Sequence, residues 1–191
     1  MREALNPVAS VALWRLKIRL RRVKEACMLC NEPPSIWSTK GSRWWTESAQ
    51  QCVQAGRLEK WIYAFLATDG WNDALLEYLR SQRRWWRGPL EAALTDLIRI
   101  CGPEPNMEYR LDTSVWDRHV TLLQHSLPNN RLHVPPLIVE YSQEALIICD
   151  GAHRHEAMRR LGWQTCWIVI SYGSEEQFIA DSGRWTAQIS E

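Results

Sequence analysis

The chain has 191 residues, 46% of them hydrophobic and 24% charged, which suffices for one core or a domain with an appendage and excludes a disordered polyelectrolyte. Twenty-three basic and 22 acidic residues leave a net charge of +1, so the chain as a whole does not grip nucleic acid by charge alone. The composition is unusual in one respect, with 12 Trp against 2 Phe and 5 Tyr.

The charge is uneven along the chain. Residues 1–24 hold seven basic residues against Glu3, so the remainder is mildly acidic. Val8 to Ala26 reads as a basic amphipathic helix, with Leu13, Leu16, Leu20 and Val23 at helical spacing. Such a helix suits phosphates, a membrane surface or an acidic partner, and equally a solvated face packed on the body. Cys27 and Cys30 have zinc-knuckle spacing but lack a second ligand pair. Cys149 and Cys166 lie in apolar runs where cysteine behaves as a small hydrophobe. No cleavable leader and no run near the ~20 residues of a membrane span is visible. The expectation is therefore a cytoplasmic protein with no membrane span.

Asn31 to Thr46 reads as a Trp-rich loop. From Gly56 a helix is expected, with Leu58, Trp61, Ile62, Phe65 and Leu66 on one face and Asp69-Gly70 as its stop. Asn72 or Asp73 caps a second helix with Leu75, Leu76 and Leu79 as its stripe. It is expected to end in Arg83-Arg84-Trp85-Trp86-Arg87, before Gly88-Pro89. That cluster either stacks bases or, the favoured reading, docks its indoles on the body while the arginine heads face water.

Leu90 to Leu94 is a short apolar run, followed by a turn through Ile100 and the turn-rich Gly102 to Asn106. Ser114 to Leu127 reads as a helix. Leu137 to Tyr141 and Ala145 to Cys149 read as neighbouring strands joined by a short turn, and Cys166 to Ser171 as the last strand. Between them, Asp150-Gly151 leads into a helix from Ala152 to Leu161, stopped by Gly162.

The Asp150–Arg154 segment carries the chemistry. A strand ends in an acid and a glycine, and a helix begins at once. Gly151 permits a tight turn, and the first amides of the helix offer an anion site at the positive end of its dipole. His153 and Arg154 add donors there, and Asp150 can hold Mg²⁺ that bridges phosphate oxygens. The bland alternatives are that Asp150 only caps the helix and that His155, Arg159 and Arg160 form a solvated face. A transition-metal site from Asp150, His153, His155 and Glu156 is opposed by their differing directions on a helix.

From Gly88 to Tyr172 the chain resembles the ParB/sulfiredoxin superfamily. The likeness rests on Pro135-Pro136-Leu137-Ile138-Val139, on Leu146-Ile147-Ile148-Cys149-Asp150-Gly151-x-His153-Arg154-x-x-Ala157, and on Leu161-Gly162-Trp163 before the last strand. It implies an α+β fold, a small mixed sheet with flanking helices, and a nucleotide held with its phosphates at Gly151, Ala152, His153 and Arg154. Ala152 stands where sulfiredoxins carry their catalytic cysteine. Partitioning ParB proteins carry Gly-Glu-Arg-Arg at this turn and a downstream DNA domain, which is not expected in the about 20 residues that follow Ser171 here. The Asp-Gly-x-His-Arg form looks more like the branch of nucleotide-dependent free-serine kinases. That likeness implies Asp150 and His153 in phosphoryl transfer, and Glu104, with Glu108 second, as the catalytic base.

The expected division is a basic helix and Trp-rich loop (1–55), a helical extension (56–87) and a nucleotide-binding domain (88–191). The expected function is Mg²⁺-dependent phosphoryl transfer or hydrolysis with ADP, ATP or CTP, and a small-molecule acceptor. The alternatives are a nucleotide-gated interaction protein without catalysis and, behind it, a nucleic-acid-binding module.

Overall fold

The computed structural model describes residues 44–185. The basic helix over residues 8–26, the Cys27–Cys30 pair and the loop up to residue 43 lie outside the described residues. The architecture is α+β, as expected: a five-stranded mixed sheet with helices on its faces.

Helices α1 (Thr46–Gln54), α2 (Leu58–Ala67) and α3 (Asp73–Arg80) come first. The stripe on α2 is buried as its spacing predicts, and Asn72 Oδ1 caps α3 by accepting from the Leu75 N–H at 3.2 Å. Helix α1 is an addition to the expected loop. Its sequence is polar, only Thr46 and Ala49 are buried, and the Thr46 hydroxyl ties it to the Val134 carbonyl at 2.7 Å.

Strand β1 (Trp85–Ala93) replaces the expected helix end at Arg83–Arg87. It pairs antiparallel with β7 (Thr165–Tyr172), with an irregularity between Arg87 and Leu90. Gly88 sits there at φ 109°, and a Cβ on it would lie 2.6 Å from the Ile168 carbonyl oxygen, so the backbones approach as only glycine allows. β2 (Leu97–Ile98) forms the far edge. β3 (Cys101–Gly102) and β4 (Tyr109–Arg110) make a separate parallel pair around the turn-rich segment.

Helix α4 (Thr113–Ser126) is capped by Asp112, which accepts from Ser114 and Val115 amides. β5 (Leu137–Ser142) and β6 (Ala145–Asp150) form a hairpin closed by Gln143 and Glu144, both at positive φ as a tight two-residue turn requires. Helix α5 (Ala152–Arg160) then leads to β7, which lies between β1 and β5 and runs parallel to β5. Two short helices, α6 (Glu175–Ala180) and α7 (Ser182–Trp185), follow, pinned where Tyr172 and Trp185 both donate to buried Asp181.

Strand alternation places the two cores. Leu137, Val139, Ile168 and Ile170 face Met158 of α5 and the carboxy-terminal helices. Ile138 and Val169 face the other way, into Ile62, Leu66, Leu75 and Leu79 of α2 and α3. The helical extension thus shares a core with the sheet. A third cluster of Cys101, Tyr109, Trp116, Val120 and Ala157 joins α4 to α5 beside the β3–β4 pair.

Among the described residues no helix is long and apolar enough to cross a membrane.

Candidate functional site: the mouth of helix α5

Asp150 ends β6, and Gly151 turns the chain at φ 95° into α5. A Cβ at Gly151 would meet Leu137 Cδ2 at 2.5 Å and Arg154 Nη2 at 2.8 Å. No side chain caps α5. Its first N–H groups therefore keep the positive end of the helix dipole available to an anion. Gly151→Ala is expected to cost roughly 1–3 kcal/mol, from left-handed strain and the Leu137 contact, and to be visible as a lower urea midpoint.

Asp150 does not cap the helix. Its Oδ2 accepts from Arg154 Nη2 at 2.8 Å and its Oδ1 from Asn72 Nδ2 at 3.1 Å. Both oxygens are engaged, one of them by a cation, so a magnesium ion at Asp150 would compete with Arg154 for the carboxylate. Among the described residues, no three His, Cys, Asp or Glu side chains gather as a metal site.

Arg154 corrects the expectation of a guanidinium at the mouth. It is buried, and its Nη1 donates to the Pro135 and Pro136 carbonyls at 2.5 and 3.3 Å. Burial pulls its pKa down, and Asp150 opposes that. Only its backbone N–H belongs to the helix mouth. His155 is likewise no part of a solvated face. It is buried, with Nε2 donating to the Leu94 carbonyl at 3.0 Å. Arg159 and Arg160 turn back on buried Glu156. Burial alone would raise the Glu156 carboxyl, but the hydrogen bonds from Arg159 and Arg160, with Arg99 close by, outweigh it and hold it at about 2.

His153 lies in the first turn of α5. Its ring leans on Trp116 at 4.2 Å and meets His119 edge-on at 5.4 Å. Burial, then the neighbouring His119 and the Arg99 cation, drops its pKa to about 4, so it is neutral near pH 7 and offers one donor and one acceptor. Arg99 lies over the other part of this group, 5.0 Å from the Trp116 ring, and donates to Glu104 Oε1. Glu104 and His153 are thus linked through Arg99 and Trp116. Glu108 stands outside that chain of contacts and accepts from the Tyr109 hydroxyl at 3.2 Å.

Three buried polar atoms in this group lack a hydrogen-bond partner among the described residues: Glu104 Oε2, Trp116 Nε1 and His119 Nε2. Buried polar atoms are nearly always satisfied, so water or another partner is expected to complete these three, as it is at Arg84, Arg87 and Ser171, which hold such atoms too. Arg99, Trp116 and His119 were not singled out as site residues in the sequence. The i, i+3 spacing of Trp116 and His119 on α4 was the available signal.

The Arg83–Arg87 cluster is spent largely inside the fold. Arg84 is buried, paired with Glu140 at 3.1 Å and lying over Tyr78, while Arg87 donates to the Phe178 carbonyl at 2.8 Å. Trp86 donates to Glu59 at 3.2 Å. The indoles dock on the body as favoured, Trp85 on the main core and Trp86 on the helical layer, whereas of the three arginines only Arg83 is exposed.

No family model matches the chain, and no curated protein matches it. Among solved structures, it has a weak likeness to the crystal structure of sulfiredoxin from Arabidopsis thaliana. The TM-score is 0.34 at 24% identity, covering 48% of this chain and 92% of that one.

Proposed function

We propose that the turn Gly151–Arg154 binds the phosphate chain of a nucleotide. The carrying observation is the uncapped start of α5, set beside the unsatisfied Trp116, His119 and Glu104 atoms. The backbone N–H groups of Ala152, His153 and Arg154 hold the phosphate, and neutral His153 adds a donor. Mg²⁺ enters this reading only as the nucleotide's own counter-ion. In the finer reading the free Glu104 oxygen takes the proton of a small-molecule acceptor during phosphoryl transfer, which is largely positioning and electrostatics.

A second reading, nucleotide-gated interaction without catalysis, is favoured by one contact: Glu104 is already engaged by Arg99.

Titration calorimetry with ADP, ATP, CTP and tripolyphosphate, each with Mg²⁺, tests the site. Binding is expected, and His153→Gln should weaken it about tenfold, the loss of one hydrogen bond to a charged group. Absence of binding to all four ligands overturns the phosphate reading. Turnover abolished by Glu104→Gln with binding intact supports catalysis, whereas binding without turnover in the parent chain supports the gated reading.

A further inference from the structure

The loop between α2 and α3 carries a feature that the phosphate reading does not use. Trp71 is 69% exposed, the only exposed tryptophan among the described residues, and it makes no ring contact among them. It also sits at φ 44°, in the left-handed region that a bulky side chain rarely adopts. Packing does not explain this residue, because its indole packs on little. Backbone economy does not explain it either, because glycine would occupy the same conformation without strain.

The loop is nonetheless held firmly. The Gly70 amide donates to Phe65 at 2.8 Å, the Trp71 amide to Thr68 at 3.3 Å, and the Asn72 amide to Leu66 at 3.0 Å. Asn72 then fixes the loop to the site, since its Nδ2 donates to Asp150, the residue before Gly151. Trp71 therefore lies about one Cα–Cα step, ~3.8 Å, from the residue that holds Asp150, which immediately precedes the Gly151 turn. A second observation bears on that end of α5. His119, 9% exposed and edge-on to His153, leaves its Nε2 without a partner.

We propose that Trp71 is the stacking platform for the base of the nucleotide whose phosphates lie on α5. This inference rests on the phosphate reading of Gly151–Arg154. An indole face stacks on any base, so the platform supplies affinity with little sequence discrimination. A rigid turn presents it without the entropy of ordering a loose tip. The helical layer then contributes the base half of the site and the sheet domain the phosphate half.

The test compares the parent chain with Trp71→Gly and Trp71→Phe, titrated with MgATP, MgCTP and magnesium tripolyphosphate. Trp71→Gly is expected to weaken both nucleotides about tenfold and to leave tripolyphosphate unchanged, while Trp71→Phe recovers most of the loss. The thermal midpoint of Trp71→Gly should hold or rise, because the strain is relieved. If Trp71→Gly leaves nucleotide affinity unchanged, or weakens tripolyphosphate equally, the stacking role is wrong and the phosphate site stands. If the parent chain binds tripolyphosphate as tightly as the nucleotides, the stacking role is again wrong. If it binds none of the three, the phosphate reading fails and this inference fails with it.

Discussion

Asp150→Ala is expected to lower the free energy of unfolding by about 3–5 kcal/mol, the usual result of stripping the partner from a buried charge. Arg154 is 6% exposed, and Asp150 is the one carboxylate paired with it among the described residues. Without that carboxylate the guanidinium stays buried against two proline carbonyls, which accept hydrogen bonds but carry no charge. The loss extends to the helical layer, because Asn72 also loses its acceptor and α3 begins at Asn72. Denaturant unfolding followed by circular dichroism measures the effect. Adding Arg154→Met to Asp150→Ala should restore a good part of the stability, since a well-filled apolar site tolerates the removal of both charges. Recovery should be incomplete, because the Pro135 carbonyl would remain buried without its donor. If Asp150→Ala unfolds with the parent midpoint, the ion pair contributes nothing and Asp150 is free for another role. Loss of ligand binding in Asp150→Ala therefore says little about the site until the folded fraction is known.

The pairing of Asp150 with Arg154 also shows what the sequence could and could not reveal. The strand–glycine–helix turn was legible, because Ile147-Ile148-Cys149 is an apolar run, Asp150-Gly151 a stop, and Gly162 a helix end. A side chain's identity says that it is a cation, but its direction depends on what packs around it. Arg154 falls on the inward face of α5, where Met158, four residues on, joins the main core. His155 is carried inward as well, so only Arg159 and Arg160 of the expected polar face stay exposed. Strand β1 was masked by its arginines, since Arg83 to Arg87 imitates the basic end of a helix. Its alternation emerges only against β7, with Trp85 facing the main core and Trp86 the helical layer. Helix α1 had no apolar stripe to detect. The contact between Asn72 and Asp150 spans 78 residues, and no local pattern foreshadows it.

Acidification should destabilise the fold between pH 6.5 and about 4, and His153 should supply most of that slope. Its pKa lies near 6.5 when exposed and falls to about 4 in the folded chain. Over that interval the unfolded chain binds a proton that the folded chain refuses, so stability rises with pH across the window and is lost as pH falls. Every pH unit between the two values is worth ~1.4 kcal/mol, so a complete titration removes up to about 3 kcal/mol. His119 and His155 are lowered by burial as well and act in the same direction. Glu156 does not contribute here. Its carboxyl is held at about 2, so the stability it gives is present above its ordinary value of 4.5 and disappears only as pH falls toward 2. Urea midpoints measured from pH 7 to 4 should therefore drop steeply in the parent chain and much less in His153→Gln. A slope unchanged by His153→Gln would place the titration at His119 or His155. The ligand sharpens the same experiment. A phosphate on the α5 amides favours the protonated ring, so bound nucleotide should raise the His153 pKa and protect the fold most strongly below pH 6.5.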